Sequence, residues 1–197
     1  NISNIKPSDQ QINKLLKHYQ AGHLDKAKKL ATSITDKYPN DLLSWKILGA
    51  VLRQTDRKSE ALVANKKVIA LSPKDAAAHY NLGVTLKELR IVEEAEASYA
   101  KAIALKPDFA EAHYNLGVML VELERYEEAE TSYAQTIQLK PDFAEAHSNL
   151  GDVLNGMRRF KEAKVSYQKA IALKPDFAEA HYNLGIALHE LGRFEEA

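Results

Sequence analysis

The sequence predicts an all-α fold built from antiparallel helix pairs, and three observations carry that prediction. The stretch LKPDFAEAH at residues 105–113 recurs unchanged at residues 139–147 and 173–181, so the chain repeats every 34 residues. Apolar residues within each repeat follow helical spacing, with a break in the middle. A proline keeps the same interval and ends each second helix, because it cannot continue a helix. These prolines are Pro39, Pro73, Pro107, Pro141 and Pro175.

Bulk composition excludes several classes of function before any motif is considered. Lys and Arg number 27 and Asp and Glu also number 27, so the formal net charge is zero with neutral histidines. This balance gives no electrostatic reason to expect a nucleic acid or an anionic membrane as partner. The chain has no cysteine, which excludes disulfides and is typical of a reducing compartment. No apolar run approaches the roughly 20 residues of a membrane helix and no signal peptide is visible, so we expect a cytoplasmic protein.

The first seven residues are expected to form an N-terminal tail, and the repeats to begin at Ser8. Ser8 and Gln11 have the spacing of a capping box, in which each side chain bonds to the backbone of the other residue. Gly22 is expected to separate the first helix from the second, which ends before Pro39. The repeat units are then residues 8–41, 42–75, 76–109, 110–143, 144–177 and an incomplete 178–197.

A glycine at the eighth place of the repeat is expected to mark a close contact between helices. Glycine inside a helix costs about 1 kcal/mol relative to alanine, so its recurrence at one depth needs a packing reason. We expect the small partner across the seam to be the alanine at the twentieth place, such as Ala61. The glycines are Gly49, Gly83, Gly117, Gly151 and Gly185.

Each later repeat is expected to open with an aspartate as N-cap and a glutamate three residues on, which together make a capping box. An earlier junction differs, because Asp75 is followed by three alanines and lacks the glutamate. The expected pairs are Asp108 with Glu111, Asp142 with Glu145, and Asp176 with Glu179.

This set of residues resembles the tetratricopeptide repeat family over about residues 8–197. The fourth repeat matches the family pattern with His113, Leu116, Gly117, Leu120, Ala129, Tyr133, Thr136 and Pro141. Trp45 keeps the tryptophan of the fourth place, whereas the first repeat departs from the pattern with Leu15 at the eighth place. The resemblance implies a right-handed superhelical solenoid, whose first helices line a concave groove and whose second helices lie outside.

The sharpest site prediction is a row of asparagines at the sixth place of the first helices. Asparagine is a poor residue for a helix interior, so its recurrence there needs a reason. The resemblance implies that this place faces the groove, where an amide can bond to the backbone of an extended peptide. The alternative is that each asparagine braces a neighbouring helix or faces water. The row consists of Asn81, Asn115, Asn149 and Asn183. It resembles the asparagine row in the repeat region of protein O-linked N-acetylglucosamine transferase.

Tyrosines precede three of these asparagines, at the fifth place. Tyrosine is common in binding surfaces because it buries much area at a low entropic cost. A partly buried packing role, with the hydroxyl in water, is the equal alternative. These residues are Tyr80, Tyr114 and Tyr182, and Ser148 interrupts the series.

The same groove is expected to be acidic and to favour a basic or neutral polypeptide. Lys87 is the one cation expected there, besides a titratable His189. The alternative is that the glutamates at the second place serve the helix N-termini. The acidic residues expected in the groove are Glu88, Glu111, Glu122, Glu145, Asp152, Glu179 and Glu190.

Four histidines in register at the fourth place are expected to be structural rather than metal ligands. Adjacent repeats should hold them roughly 10 Å apart, whereas zinc needs its ligands about 2 Å from one ion. We therefore expect neither a metal nor any other cofactor. The histidines are His79, His113, His147 and His181.

Signs of catalysis and of one family site are lacking. The chain has no glycine-rich phosphate loop and no nucleophile elbow, so we expect no enzyme activity and no catalytic residue. Some family members bind a terminal carboxylate through a clamp of Lys and Asn. Lys46 and Asn81 could begin such a clamp, but Ala50, Glu111 and Asn115 stand at its other places, which argues against it.

The sequence therefore predicts a scaffold that binds an extended polypeptide in its groove. Two alternatives stay open. The repeats could recruit substrates or regulate a larger enzyme of the glycosyltransferase or sulfotransferase type. They could also self-associate through the apolar ends of the array, where Leu184 and Leu188 lie.

Overall fold

The structure is a computed structural model that describes the backbone of residues 6–195 and the side chains of residues 6–192. Residues 1–5 of the predicted tail and residues 196 and 197 lie outside the described residues. Within the described range the chain forms eleven α-helices and no strand. No helix in this range is long and apolar enough to cross a membrane.

The first of two compact units ends at Leu105. Consecutive helices pack against each other throughout it, and α1 also contacts α3. This succession of helix pairs confirms the predicted all-α fold. Its helices are α1 (Asp9–Gln20), α2 (Leu24–Lys37), α3 (Leu42–Gln54), α4 (Lys58–Leu71), α5 (Ala76–Glu88) and α6 (Val92–Leu105).

The second compact unit begins at Lys106 and is built in the same way. Its helices are α7 (Ala110–Glu122), α8 (Tyr126–Leu139), α9 (Ala144–Gly156), α10 (Phe160–Leu173) and α11 (Ala178–Glu195). By the pattern of the earlier repeats a second helix would begin after the fifteenth place of the sixth repeat, but α11 continues through Gly192, which occupies that place.

The turns between the two helices of a pair share one backbone conformation. Each has a residue with positive φ at the fifteenth place, and only the first is a glycine, Gly22, with φ of 69°. Non-glycine residues in this left-handed region cost roughly 1–2 kcal/mol, so helix packing must offset that cost. The other turn residues are Asp56, Arg90, Glu124 and Arg158.

The predicted aspartate caps are right at the early junctions and wrong at the later ones. The capping box of Ser8 and Gln11 is present, and Asp75 accepts from the backbone N–H of Ala78 at 3.1 Å. At the fourth and fifth repeats the N-cap residue is instead a phenylalanine, with no side-chain cap bond. The reason is the position of the later aspartates in the repeat. They lie one place earlier than Asp75 does, and their side chains are therefore too far from the first helical turn. The misassigned residues are Asp108, Asp142 and, two residues before α11, Asp176.

Four of the five glycines of the eighth place mark close contacts, although their partner is not the predicted alanine, whereas nothing lies within 4 Å of the Cβ position of Gly185. In the third, fourth and fifth repeats a fully buried tyrosine ring of the second helix lies against the glycine. A Cβ atom on Gly117 would be 2.7 Å from Cε1 of Tyr133. In the second repeat Asn65 takes the place of the tyrosine and lies against Gly49. The aromatic ring therefore sets how closely the two helices of a pair approach.

Candidate functional site

Asn149 on α9 is held by two tyrosine hydroxyls of the preceding repeat. Its amide nitrogen donates to the hydroxyl of Tyr114 on α7 at 3.1 Å and to that of Tyr133 on α8 at 3.4 Å. Burial raises the pKa of both tyrosines, so both hydroxyls stay protonated at neutral pH. Asn149 itself is half-buried. The side chain is thus fixed by the fold while part of it still meets solvent.

Asn183 on α11 is held in an equivalent way by a carboxylate. Its amide nitrogen donates to Oδ1 of Asp152 at 2.8 Å, and the hydroxyl of Tyr167 donates to the same oxygen at 2.8 Å. Burial, with a smaller contribution from the charge of Glu179, raises the pKa of Asp152, although these two hydrogen bonds lower it. A carboxylate oxygen only accepts hydrogen bonds, so the group of the Asn183 amide that faces Asp152 is the nitrogen and not the oxygen.

The other two asparagines of the row have different surroundings. The Asn115 amide nitrogen donates to the backbone oxygen of Glu111, one turn earlier in α7, at 3.0 Å. Asn81 on α5 is exposed, and its backbone oxygen accepts from Asn65 and Thr85. The bracing alternative therefore describes Asn149 and Asn183, whereas Asn81 presents its amide to solvent.

The tyrosines of the fifth place take two roles. Tyr80 and Tyr114 are half-buried, and each packs on the tyrosine of the twenty-fourth place with ring centroids 5.9 Å apart. Tyr114 also stacks on Phe143, the N-cap residue of α9, at 4.8 Å. Tyr182 is different, because 71% of its surface is exposed.

Several of the predicted groove carboxylates are shared with cations. Glu111 lies 3.8 Å from the ammonium of Lys140, and Glu145 lies 3.4 Å from that of Lys174. Each pair lies within a single repeat, and neither glutamate forms the predicted capping box. Glu122 is exposed, whereas Lys87 is half-buried. The negative charge along these helices is therefore smaller than the sequence suggests.

The histidine row forms a structural bond that recurs from the third repeat to the sixth. Nε2 of each ring lies 2.9–3.0 Å from the carbonyl oxygen of the proline six residues earlier. Trp45 makes the same bond in the second repeat, donating from Nε1 to the Pro39 oxygen at 3.0 Å. The prediction of structural histidines is confirmed, and a nitrogen donor at the fourth place explains why His and Trp exchange there. The described side chains contain no group of three His, Asp or Glu placed to hold a metal ion.

The sequence reasoning missed the residues that hold the asparagine row. These residues include Tyr133 and Tyr167, whose hydroxyls bond to Asn149 and Asp152. A signal existed, because Tyr occupies the twenty-fourth place in the third, fourth and fifth repeats, and each of these carries Gly at the eighth place and is followed by Asn at the sixth place of the next repeat. Asn65, which replaces that tyrosine in the second repeat, was missed as well; it donates to Thr85 at 2.9 Å.

Comparison with known proteins gives the family and the fold. Tetratricopeptide repeat profiles match residues 14–76, 60–108, 80–144 and 114–163, and a TPR repeat profile matches residues 159–192. No curated protein sequence matches the chain.

Solved structures of similar fold cover most of the chain. The crystal structure of MamA protein is 25% identical, with a TM-score of 0.78 over 86% of this chain and 92% of that one. MamA from Desulfovibrio magneticus RS-1 is 21% identical, with a TM-score of 0.79 over 86% and 96%. YrrB, a TPR protein with an unusual peptide-binding site, is 20% identical, with a TM-score of 0.79 over 89% and 91%. At 20–21% identity the last two show the fold alone. The profile matches, the 34-residue period and the helix pairs together place this chain in the tetratricopeptide repeat family.

Proposed function

We propose that the chain is a protein-interaction module that binds an extended polypeptide along its first helices. The observation that carries the proposal is the way the amides of Asn149 and Asn183 are held. Each donates its N–H to a partner inside the fold, which leaves the amide carbonyl oxygen to accept a backbone N–H from a bound chain. An amide fixed before binding costs little entropy when the partner arrives.

Most of the predicted site residues contact the partner in this proposal, whereas Tyr114 holds Asn149 through its hydroxyl. In the second unit Asn115, Asn149 and Asn183 bond to the partner's backbone, with Tyr182 packing beside them. In the first unit Asn81 is the equivalent amide, next to Tyr80. The row is of the kind that the repeat region of protein O-linked N-acetylglucosamine transferase carries, and the similar fold of YrrB is described with a peptide-binding site.

The proposed partner is basic or neutral. Glu122 and Glu179 are exposed, and Asp152 adds a carboxylate next to Asn183. These acidic groups disfavour an acidic segment through like-charge repulsion. Lys87 provides one cation close to the row on α5.

The test is binding to an array of immobilised extended peptides with basic, neutral and acidic compositions. The variant changes all four asparagines of the row to alanine. Its control carries four alanines on exposed residues of second helices, at Lys101, Thr131, Gln138 and Gln168. We expect the asparagine variant to lose at least about tenfold in affinity and the control to keep it, with equal helicity by circular dichroism. Equal binding by the two variants, both folded, would refute the proposal.

The proposal includes no catalytic activity. Burial raises the pKa of the Asp152 carboxyl. Its Oδ1 atom already accepts hydrogen bonds from Tyr167 and Asn183. This arrangement is suited to holding helices together. The module could still serve as the recruiting arm of a larger enzyme. The full gene distinguishes these cases, since an adjoining catalytic domain favours the arm.

A cytoplasmic location, inferred from the lack of cysteine, is testable by cell fractionation.

Self-association is a second candidate, favoured by the apolar surface of α11. Tyr182, Ile186 and Leu188 are exposed there by 71%, 38% and 44%. Such a cluster is unusual on an isolated surface. Light scattering across a concentration series tests it, and a constant monomer mass would remove the idea.

A further inference from the structure

The zero net charge hides a strong segregation of charge along the chain. Residues 1–75 hold 14 Lys and Arg against seven Asp and Glu, whereas residues 76–197 hold 13 against 20. The excess of positive charge in the first two repeats is concentrated on their second helices. Together α2 and α4 carry seven lysines and three acidic residues. This surface differs in charge from the first helices discussed above.

An apolar groove lies between these two basic helices, with α3 as its floor. It has a volume of about 530 Å³, within the range of ligand clefts. Trp45, Leu48 and Leu52 of α3 form the floor, and Ala64 and Val63 of α4 form one wall. Val63 is 64% exposed, so an apolar β-branched side chain stands at the rim in contact with water.

The charges at the rim favour an acidic occupant. Lys28 and Lys29 of α2 line the groove, and Lys29 is exposed. Glu60 is also in the lining, but Arg57 holds both of its oxygens at 2.6 and 2.7 Å. The remaining lining carboxylate is that of Asp36. A nucleic acid could stack a base on Trp45 but has no aliphatic side chains for Leu48, Leu52 and Val63, whereas an acidic peptide with apolar side chains would use both the charges and the whole apolar floor.

We propose that this groove is a second docking surface, and that its occupant is an acidic amphipathic peptide segment. The segment inserts apolar side chains between α2 and α4, over Trp45, and places carboxylates beside Lys28 and Lys29. This surface is separate from the asparagine row, so the module would bind two segments of opposite charge preference.

Trp45 makes the proposal directly measurable, because it is the only tryptophan of the chain and lines the groove. The probe is a synthetic peptide of about 16 residues, with Leu at helical spacing and Glu and Gln elsewhere. Binding should shift Trp45 emission to shorter wavelength. The matched peptide with Lys in place of Glu should bind at least about tenfold more weakly at low salt, and added salt should reduce the difference.

The chain provides a matched pair of variants. Val63 and Val165 occupy the same place in two repeats and are both 64% exposed. Val63→Asp should weaken binding of the acidic peptide at least about tenfold, whereas Val165→Asp on α10 should leave it unchanged. Lys29→Glu should also weaken binding, with Lys101→Glu on α6 as its control.

Four outcomes would overturn the proposal. They are an unchanged Trp45 emission, equal binding of the Lys peptide, equal weakening by Val63→Asp and Val165→Asp, and displacement of the peptide by a single-stranded oligonucleotide. The variant that changes the four asparagines should bind the acidic peptide normally. Failure of one docking surface is thereby distinguishable from failure of the other.

Discussion

The phenol ring of Tyr167 lies so close to Gly151 that a Cβ atom on the glycine would be 2.5 Å from Cε1 of the ring. Tyr167 is fully buried, so the ring has no room to withdraw. The same relationship joins Gly83 to Tyr99. Each glycine and tyrosine thus form one packing unit, and in the fourth and fifth repeats the tyrosine hydroxyl reaches the asparagine row or the carboxylate that holds it. The packing of a helix pair and the order of the candidate site therefore depend on the same residue.

Gly151→Ala should destabilise the protein. Alanine gains about 1 kcal/mol in helix propensity, but overpacking against a buried ring costs about 1–3 kcal/mol. We expect a net loss of up to about 2 kcal/mol in the free energy of unfolding, measured by urea denaturation. Gly156→Ala is the control in the same helix, since nothing lies within 4 Å of its Cβ position. That variant should be slightly more stable, and a Gly151→Ala variant of equal stability would contradict the close contact.

Asp75→Ala and Asp108→Ala should have different effects, although both aspartates follow a proline closely. Asp75 caps α5 and also pairs with Lys46. Burial raises the pKa of this carboxyl, but the hydrogen bond and charge of Lys46 together with the backbone N–H groups of Ala78 and Ala77 bring it below its usual value. Loss of such a cap costs about 0.5–2 kcal/mol. Asp108 caps no helix, so its removal should cost under about 0.5 kcal/mol. Similar thermal midpoints for the two variants would contradict this assignment of the caps.

His147→Gln should reveal a pH-dependent contribution to stability. Burial lowers the pKa of His147, only partly offset by its bond to the Pro141 oxygen. The unfolded chain then takes up a proton more readily than the fold. The stability that His147 contributes is therefore present above pH 6.5 and lost as pH falls through its lowered pKa. Denaturation curves of both proteins between pH 8 and pH 5 measure this, and a difference that is constant with pH would contradict it.

Asp152→Asn should have the opposite pH dependence. Burial raises the pKa of Asp152 above 3.8, so the fold holds this proton more tightly than the unfolded chain does. The stability of the native protein relative to the variant should be highest below that pH. It should decrease as pH rises through the raised pKa, because the carboxylate must then ionise in a buried site.

The amide that Asp152→Asn introduces keeps an oxygen that can accept from Tyr167 and Asn183, so packing should change little. Asp142→Asn is the control, because it removes the same charge from an exposed position. Chemical denaturation at several pH values between 3 and 7 distinguishes the two variants. The interpretation fails if both variants show the same pH profile.

Much of the fold was predictable from the sequence because its signals are local. Helix spacing, prolines and Gly22 fix the helix pairs within a few residues. The histidine bond was predictable in kind, since its place belongs to packing in the family pattern. The N-caps were less predictable. Asp75 directly precedes its helix, whereas Asp108 lies one residue further from its own, and this difference decides whether the side chain reaches the first helical turn. Sequence spacing alone does not reveal that difference.

The candidate site was predictable in position but not in chemistry. The row of asparagines is visible in the sequence, whereas the partners of Asn149 and Asn183 come from residues 16 to 35 positions away. Only the packing of successive repeats brings those groups within hydrogen-bond distance. By itself the sequence determined the family, the period and the helices, because these depend on backbone propensities and spacing along the chain. The tertiary structure decided which amides are held, which carboxylates are neutralised and where an apolar groove opens, because those properties depend on distances between repeats.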